Sequence, residues 1–167
     1  MKNPIIKLNV KDYGTIVAEL YPEKAPKTVE NFVKLVEEGF FSGLIFHRVI
    51  AGFMIQGGGF DQSFSQKRAS SIYGEFAANG FPQNDLKHTR GTLSMARTSV
   101  PNSASSQFFV MHADAPYLDG QYAAFGQVTE GMDVVDKIAS VRTRSVGYYD
   151  DVPASPVVIE SAELVTE

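Results

Sequence analysis

Cysteine is absent from all 167 residues. That excludes disulfides, a thiolate nucleophile, iron–sulfur clusters and cysteine-ligated zinc, and it fits a reducing compartment. Tryptophan is absent as well, and histidine is scarce: His47, His88 and His112 stand alone, with no second histidine at the spacing of a local metal pair. No metal or other cofactor is therefore expected. Basic residues are in deficit, with 15 Lys and Arg against 19 Asp and Glu and a net charge of −4, which argues against nucleic acid as a partner. Long apolar runs are missing. No stretch approaches the ~18 residues that cross a membrane, and the N-terminal segment has only Ile5-Ile6 where a signal peptide carries its apolar core. The expectation is a soluble, cytoplasmic monomer with no membrane partner. Neither a G-x-S-x-G elbow nor a P-loop occurs, and Gly57-Gly58-Gly59 lacks the following glycine and helix of a phosphate cradle. A hydrolase built on His47 or His88 has no nucleophile paired with either in the sequence.

What is present describes one domain over residues 1–167, since the length and the 44% hydrophobic content suit a single core. Ile6, Leu8 and Val10 alternate, as do Ile16, Ala18 and Leu20; the Gly14 turn between them predicts a hairpin. Over residues 26–38 the period becomes helical. Val29, Phe32, Val33 and Val36 share a face, Pro26 opens the helix and Gly39 ends it. LIFHRVI (44–50) and FMIQ (53–56) read as strands around an Ala51-Gly52 bend. Residues 57–91 are largely aperiodic, as functional or flexible segments are. TLSMA (92–96), QFFVM (107–111), AAFGQV (123–128) and PVVIESAELV (156–165) follow as strands, with a short helix near 131–139. Seven or eight short strands and two helices, without regular alternation, predict a closed or nearly closed β-barrel.

Arg48 is the residue least suited to a bland reading. Period-2 alternation puts it on a face with Leu44, Phe46 and Ile50, where an arginine needs a partner or a task. Phe53, Met54 and Gln56 follow closely, and Gln107, Phe108 and Phe109 come later. One guanidinium, two amides and several apolar groups suit a pocket for a peptide or small ligand.

These residues carry a resemblance. FHRVIAGFMIQGG (46–58), GTLSMAR (91–97), SSQFFV (105–110) and YLDGQYAAFGQV (117–128) are similar, in order, to the motif blocks of the cyclophilins, the cyclosporin-binding peptidyl-prolyl isomerases. TVENF (28–32), SIYGEF (71–76), LKHT (86–89) and GMDVVDKI (131–138) agree, so the resemblance covers nearly the whole chain and is closest in wording to small bacterial members. It implies a mainly β fold, a closed eight-stranded antiparallel β-barrel capped by two α-helices with a substrate groove on its outer face. It implies isomerase and folding-chaperone activity on proline-containing peptides and unfolded proteins. The family's catalytic arginine falls on Arg48. The proline pocket falls on Phe53, Met54, Phe109 and Leu118. Gln56 and Gln107 match the groups that hold the peptide, and Ala96 and Arg97 the strand end that pairs with its backbone. His47 flanks the arginine on the opposite face. The chain departs from the family pattern at Tyr117, where many members carry tryptophan; at Tyr122, in place of a pocket histidine; at Arg97, in place of asparagine; and at Ala51, in place of proline. The missing indole implies weak cyclosporin binding, and Tyr122 and Arg97 imply a shifted substrate preference.

Overall fold

Alternating apolar residues in IIKLNV and GTIVAEL form β1 (Ile5–Val10) and β2 (Gly14–Leu20), joined at Gly14 as the sequence predicts. The computed structural model describes residues 3–147 and 149–165. It continues with α1 (Pro26–Glu37), β3 (Arg48–Ile50), β4 (Met54–Gly57), β5 (Thr92–Met95), β6 (Phe108–Met111) and β7 (Ala124–Glu130). After these come α2 (Met132–Ala139), β8 (Thr143–Val146), β9 (Tyr149–Pro153) and β10 (Ile159–Val165). Eight strands form one antiparallel sheet in the order β10-β1-β2-β7-β5-β6-β4-β3. The sheet curls around a core, and α1 packs against β10.

The barrel is less closed than expected. Its ladder ends at β3 and β10, and residues 43–46 span the gap by single bonds: Gly43 N–H to Ile159 O at 2.8 Å, Ile159 N–H to Leu44 O at 2.8 Å, and Phe46 N–H to Val157 O at 3.0 Å. The reason is that LIFHRVI is not one strand. Leu44, Ile45, Phe46 and His47 are all buried, which a strand with one solvated face cannot achieve; regular pairing starts only at Arg48. A second correction is the β8–β9 hairpin, which carries no apolar alternation in Thr143–Val146 to announce it.

The main core joins the inner sheet face to α1 through aromatic contacts. Phe32 of α1 meets Phe41, Phe108 and Phe125 at ring distances of 5.0, 5.2 and 5.0 Å. Leu35 is buried on that helix face, while Val33, expected there, is only half-buried. The first turn of α1 is capped by the buried carboxylate of Glu75. It accepts from Lys27 N–H (3.2 Å), Thr28 N–H (2.7 Å) and the Thr28 hydroxyl (2.7 Å). An anion suits the positive end of a helix. Asn84 then ties Glu75 O and Ala124 O together at 2.8 and 2.9 Å. The aperiodic 57–91 segment is therefore held by side chain to backbone bonds that leave no periodic signature.

Candidate active site

Strand register builds the site. β4 lies between β3 and β6, with Arg48 opposite Gln56, Gln56 opposite Phe109, and Phe109 opposite Ser94 of β5. These four form a row across the outer face. Ile50, Met54 and Met111 form the next row. The alternate residues Val49, Ile55, Val110 and Leu93 point into the main core. Met54, Phe109 and Met111 join Ala115 and Leu118 in a separate apolar cluster, with Ile50, Phe53, Ala96 and Tyr122 against it.

A cavity of about 120 Å³ opens on this cluster. That is the space of about four waters, enough for one small apolar ring. Phe53, Met54, Phe109, Leu118 and Tyr122 wall it, and Arg48, Gln56, Ala96 and Arg97 complete its rim. Gln107 lies outside this cavity but accepts a hydrogen bond from Gln56 Nε2 at 3.1 Å. The Gln56 carbonyl oxygen in turn accepts from Arg48 Nη1 at 3.4 Å. Gln107 is seated under Gly59, where a Cβ would come within 2.5 Å of the Gln107 side chain. The triple glycine thus serves close approach. Arg48 is solvent-exposed and, among the described residues, pairs with no carboxylate. It shares its face with Ile50 but not with Leu44 or Phe46, which lie in the core.

Two expected site residues stand apart. Tyr117 is 69% exposed and flanks Phe53 at a ring distance of 6.1 Å, outside the cavity wall. His47 is buried away from the cavity, its ring 4.6 Å from Phe60 and 6.4 Å from both Phe64 and Tyr149. Burial, reinforced by the Arg48 charge, pushes its imidazole down to about 4. Its Nδ1 has no hydrogen-bond partner among the described residues. Arg97 is sandwiched between the Phe76 and Tyr122 rings, 4.7 Å from each, and donates to Gln121 O at 2.7 Å and Thr98 O at 2.9 Å. The Ala96 N–H is taken by Gln107 O at 2.9 Å.

Sequence reasoning missed two features. The first is a larger cavity of about 290 Å³ that shares Gln56, Ala96 and Arg97 with the small one and is lined further by Gln107, Lys67 and Arg68. The second is the support beneath the small cavity. His88 Nδ1 lies 3.1 Å from Asp119 Oδ1, and Nε2 lies 2.8 Å from Ser94 Oγ. The ring stacks on Phe109 at 6.0 Å and meets Tyr122 edge-on at 6.4 Å. Burial lowers the basicity of this imidazole, against the opposing pull of Asp119. With Nδ1–H donating to the carboxylate, Nε2 accepts from the Ser94 hydroxyl. His88 therefore does have a serine partner, contrary to expectation. Ser94 is 0% exposed, so no substrate carbonyl reaches it and the arrangement braces the pocket floor. LKHT, LSMA and LDG contain these residues, but nothing in the sequence relates positions 88, 94 and 119.

The fold and site define a curled antiparallel sheet whose outer face carries a small apolar pocket beside a guanidinium that, among the described residues, pairs with no carboxylate. The family profile described as cyclophilin type peptidyl-prolyl cis-trans isomerase/CLD matches residues 5–164. Peptidyl-prolyl cis-trans isomerase A of Dickeya dadantii is 50% identical over 157 residues, covering 91% of this chain and 80% of the relative. Peptidyl-prolyl cis-trans isomerase B of Escherichia coli is 47% identical over 158 residues, covering 90% and 93%. A Cryptosporidium parvum cyclophilin-type isomerase crystallised in the presence of the dipeptide Ala-Pro superposes with a TM-score of 0.83 at 28% identity, covering 98% of this chain and 99% of that one. The chain belongs to the cyclophilin-type peptidyl-prolyl cis-trans isomerases, a family of enzymes.

The burial of His47 sets a pH dependence. Its ordinary value is 6.5 and its folded value about 4, so between these the unfolded chain binds more protons and stability declines as the pH is lowered. The contribution is intact above the unfolded value and is lost as pH falls through the folded one. The full difference is ~3 kcal/mol. Urea unfolding of the wild type from pH 7 to pH 4 should show a loss of this size, and His47→Phe should flatten it. An equally steep loss in the variant contradicts the assignment.

Proposed function

We propose that the protein accelerates cis-trans rotation about X–Pro bonds in peptides and folding proteins, with Arg48 stabilising the twisted amide. The observation that carries this reading is the Arg48 guanidinium, without a carboxylate partner among the described residues, at the rim of a ring-sized apolar cavity and bonded to Gln56. Amide resonance sets a rotational barrier of ~20 kcal/mol, while cis and trans X–Pro differ by only ~1 kcal/mol, so the task is rate. At the midpoint of rotation resonance is lost, and the prolyl nitrogen acquires a lone pair that can accept a hydrogen bond. A donor at that nitrogen stabilises the transition state more than the planar ground state.

The cavity residues Phe53, Met54, Phe109, Leu118 and Tyr122 grip the proline ring. Gln56, held by Gln107, and the backbone near Ala96 and Arg97 restrain the preceding residue. The bond is then twisted between fixed ends. The larger cavity beside Gln107 receives a neighbouring side chain of the peptide. Lowering the barrier by ~5 kcal/mol gives about 10⁴-fold acceleration. Rotation breaks no covalent bond, so no nucleophile is required. The Ala-Pro dipeptide used with the Cryptosporidium parvum relative supports a proline-containing ligand for this chain. His47, buried away from the cavity, has no direct part in this reading.

A protease-coupled isomerisation assay tests the reading. A short Ala-Pro peptide should convert faster with the protein, at the same rate in the presence of a chelator. Suppression of aggregation without faster conversion assigns a non-catalytic binding module instead, and activity that needs added zinc contradicts the mechanism.

Tyr117 governs cyclosporin more than catalysis, because it borders the groove beyond Phe53 without lining the cavity. Indole presents an N–H donor from a wide ring, whereas tyrosine presents its O–H farther out on a narrower one. A drug acceptor left without its partner loses ~1–3 kcal/mol, about tenfold to hundredfold in affinity. Tyr117→Trp should strengthen cyclosporin inhibition by that factor with little change in turnover. Equal inhibition of the two proteins overturns this and shifts attention to Tyr122 or Arg97.

A further inference from the structure

β3 is an edge strand, so the hairpin bearing Arg48 and Phe53 has ladder support on one side only. Its tip, Ala51-Gly52, projects beyond the paired residues Ile50 and Met54, and Gly52 takes φ +78°. The tip is nevertheless anchored. Gly52 N–H donates to His112 Nδ1 at 2.8 Å, and His112 N–H donates to Phe53 O at 2.9 Å. His112 follows directly on β6. Its Nε2 lies 3.1 Å from Asp136 Oδ1 on α2. That carboxylate is clamped by Arg90, with Nη1 to Oδ1 at 2.8 Å and Nη2 to Oδ2 at 2.7 Å. Arg90 also donates to His112 O at 2.9 Å.

The chemistry of this chain is directional. Nδ1 can accept from Gly52 only if it carries no proton, so the ring proton must sit on Nε2, where the Asp136 carboxylate accepts it. Asp136 thus selects the tautomer that holds the hairpin tip, and Arg90 fixes Asp136. We propose that His112 is a positioning residue for the isomerase reaction, through which helix α2 sets the hairpin that carries Arg48 and Phe53. It touches neither the cavity nor the peptide and acts only by holding the Gly52 tip. The proposal rests on the isomerase reading of the site.

Two isosteric substitutions separate its two bonds. Asparagine places its carbonyl oxygen near the position of Nδ1, and glutamine reaches the position of Nε2. His112→Asn should keep the Gly52 bond and lose Asp136; His112→Gln should do the reverse. Both should lower thermal stability similarly. His112→Gln should lower kcat/KM about fivefold, the worth of one hydrogen bond, while His112→Asn stays within about twofold of wild type. Amide exchange should show Gly52 protection lost in His112→Gln, retained in His112→Asn and weakened in Asp136→Ala. If the asparagine and glutamine variants lose activity equally, or His112→Gln keeps both activity and Gly52 protection, the proposal is overturned. A wild type that does not isomerise the peptide refutes the functional reading instead, and Gly52 exchange still decides whether His112 holds the tip.

Discussion

The register of β4 between β3 and β6 is the constraint on which the site depends. It sets Arg48, Gln56 and Phe109 in one row on the outer face and commits Val49, Ile55 and Val110 to the core. A slip of one residue would exchange the two sets, burying a guanidinium and an amide and exposing three branched side chains. Burial of the inner set therefore enforces the geometry of the outer one. The outer row is thereby tied to the most strongly specified feature of the fold.

The outer face carries its own supports. Phe109 and Tyr122 meet at a ring distance of 5.8 Å, and His88 packs behind both, held by Asp119 and Ser94. Arg97 closes the other side of Tyr122. Gln56 is oriented from both ends, by Arg48 and by Gln107. The pocket walls are thus held in place by their own contacts, and such preorganisation limits the entropy lost on binding. Arg48 differs from its neighbours in having only a long bond of 3.4 Å, to an amide, and no carboxylate partner among the described residues. A guanidinium neutralised by a carboxylate would have less to offer a developing lone pair.

Much of this was legible in the sequence, but unevenly. Strands with one buried face, such as Ile5–Val10, announce themselves by alternation, and α1 does so by its helical period. LIFHRVI misled because four consecutive residues are buried before regular pairing begins at Arg48; the alternation extrapolated back from Arg48 to Phe46 does not exist. β8 was invisible because it is largely exposed and its pattern is polar. Of the residues named by family resemblance, nine meet in one cavity and Gln107 adjoins it through Gln56. Tyr117 and His47 do not join them: Tyr117 is exposed beyond Phe53, and His47, expected off the face of Arg48, is buried against Phe60. The bracing by His88, Ser94 and Asp119 and the anchor at His112 join residues 6–60 positions apart through side-chain hydrogen bonds, which no local pattern encodes.

The central claim is that Arg48 acts on the twisted amide and contributes little to holding the peptide. It is tested most directly by NMR on a saturating X–Pro peptide, reading Kd and the cis-trans exchange rate of the bound peptide in the same samples of wild type and Arg48→Ala. The account predicts a Kd within about threefold of wild type and bound-state exchange slowed at least about a hundredfold, a loss of ~3 kcal/mol in the barrier alone. Exchange that persists at the wild-type rate, or a loss confined to Kd, would contradict it.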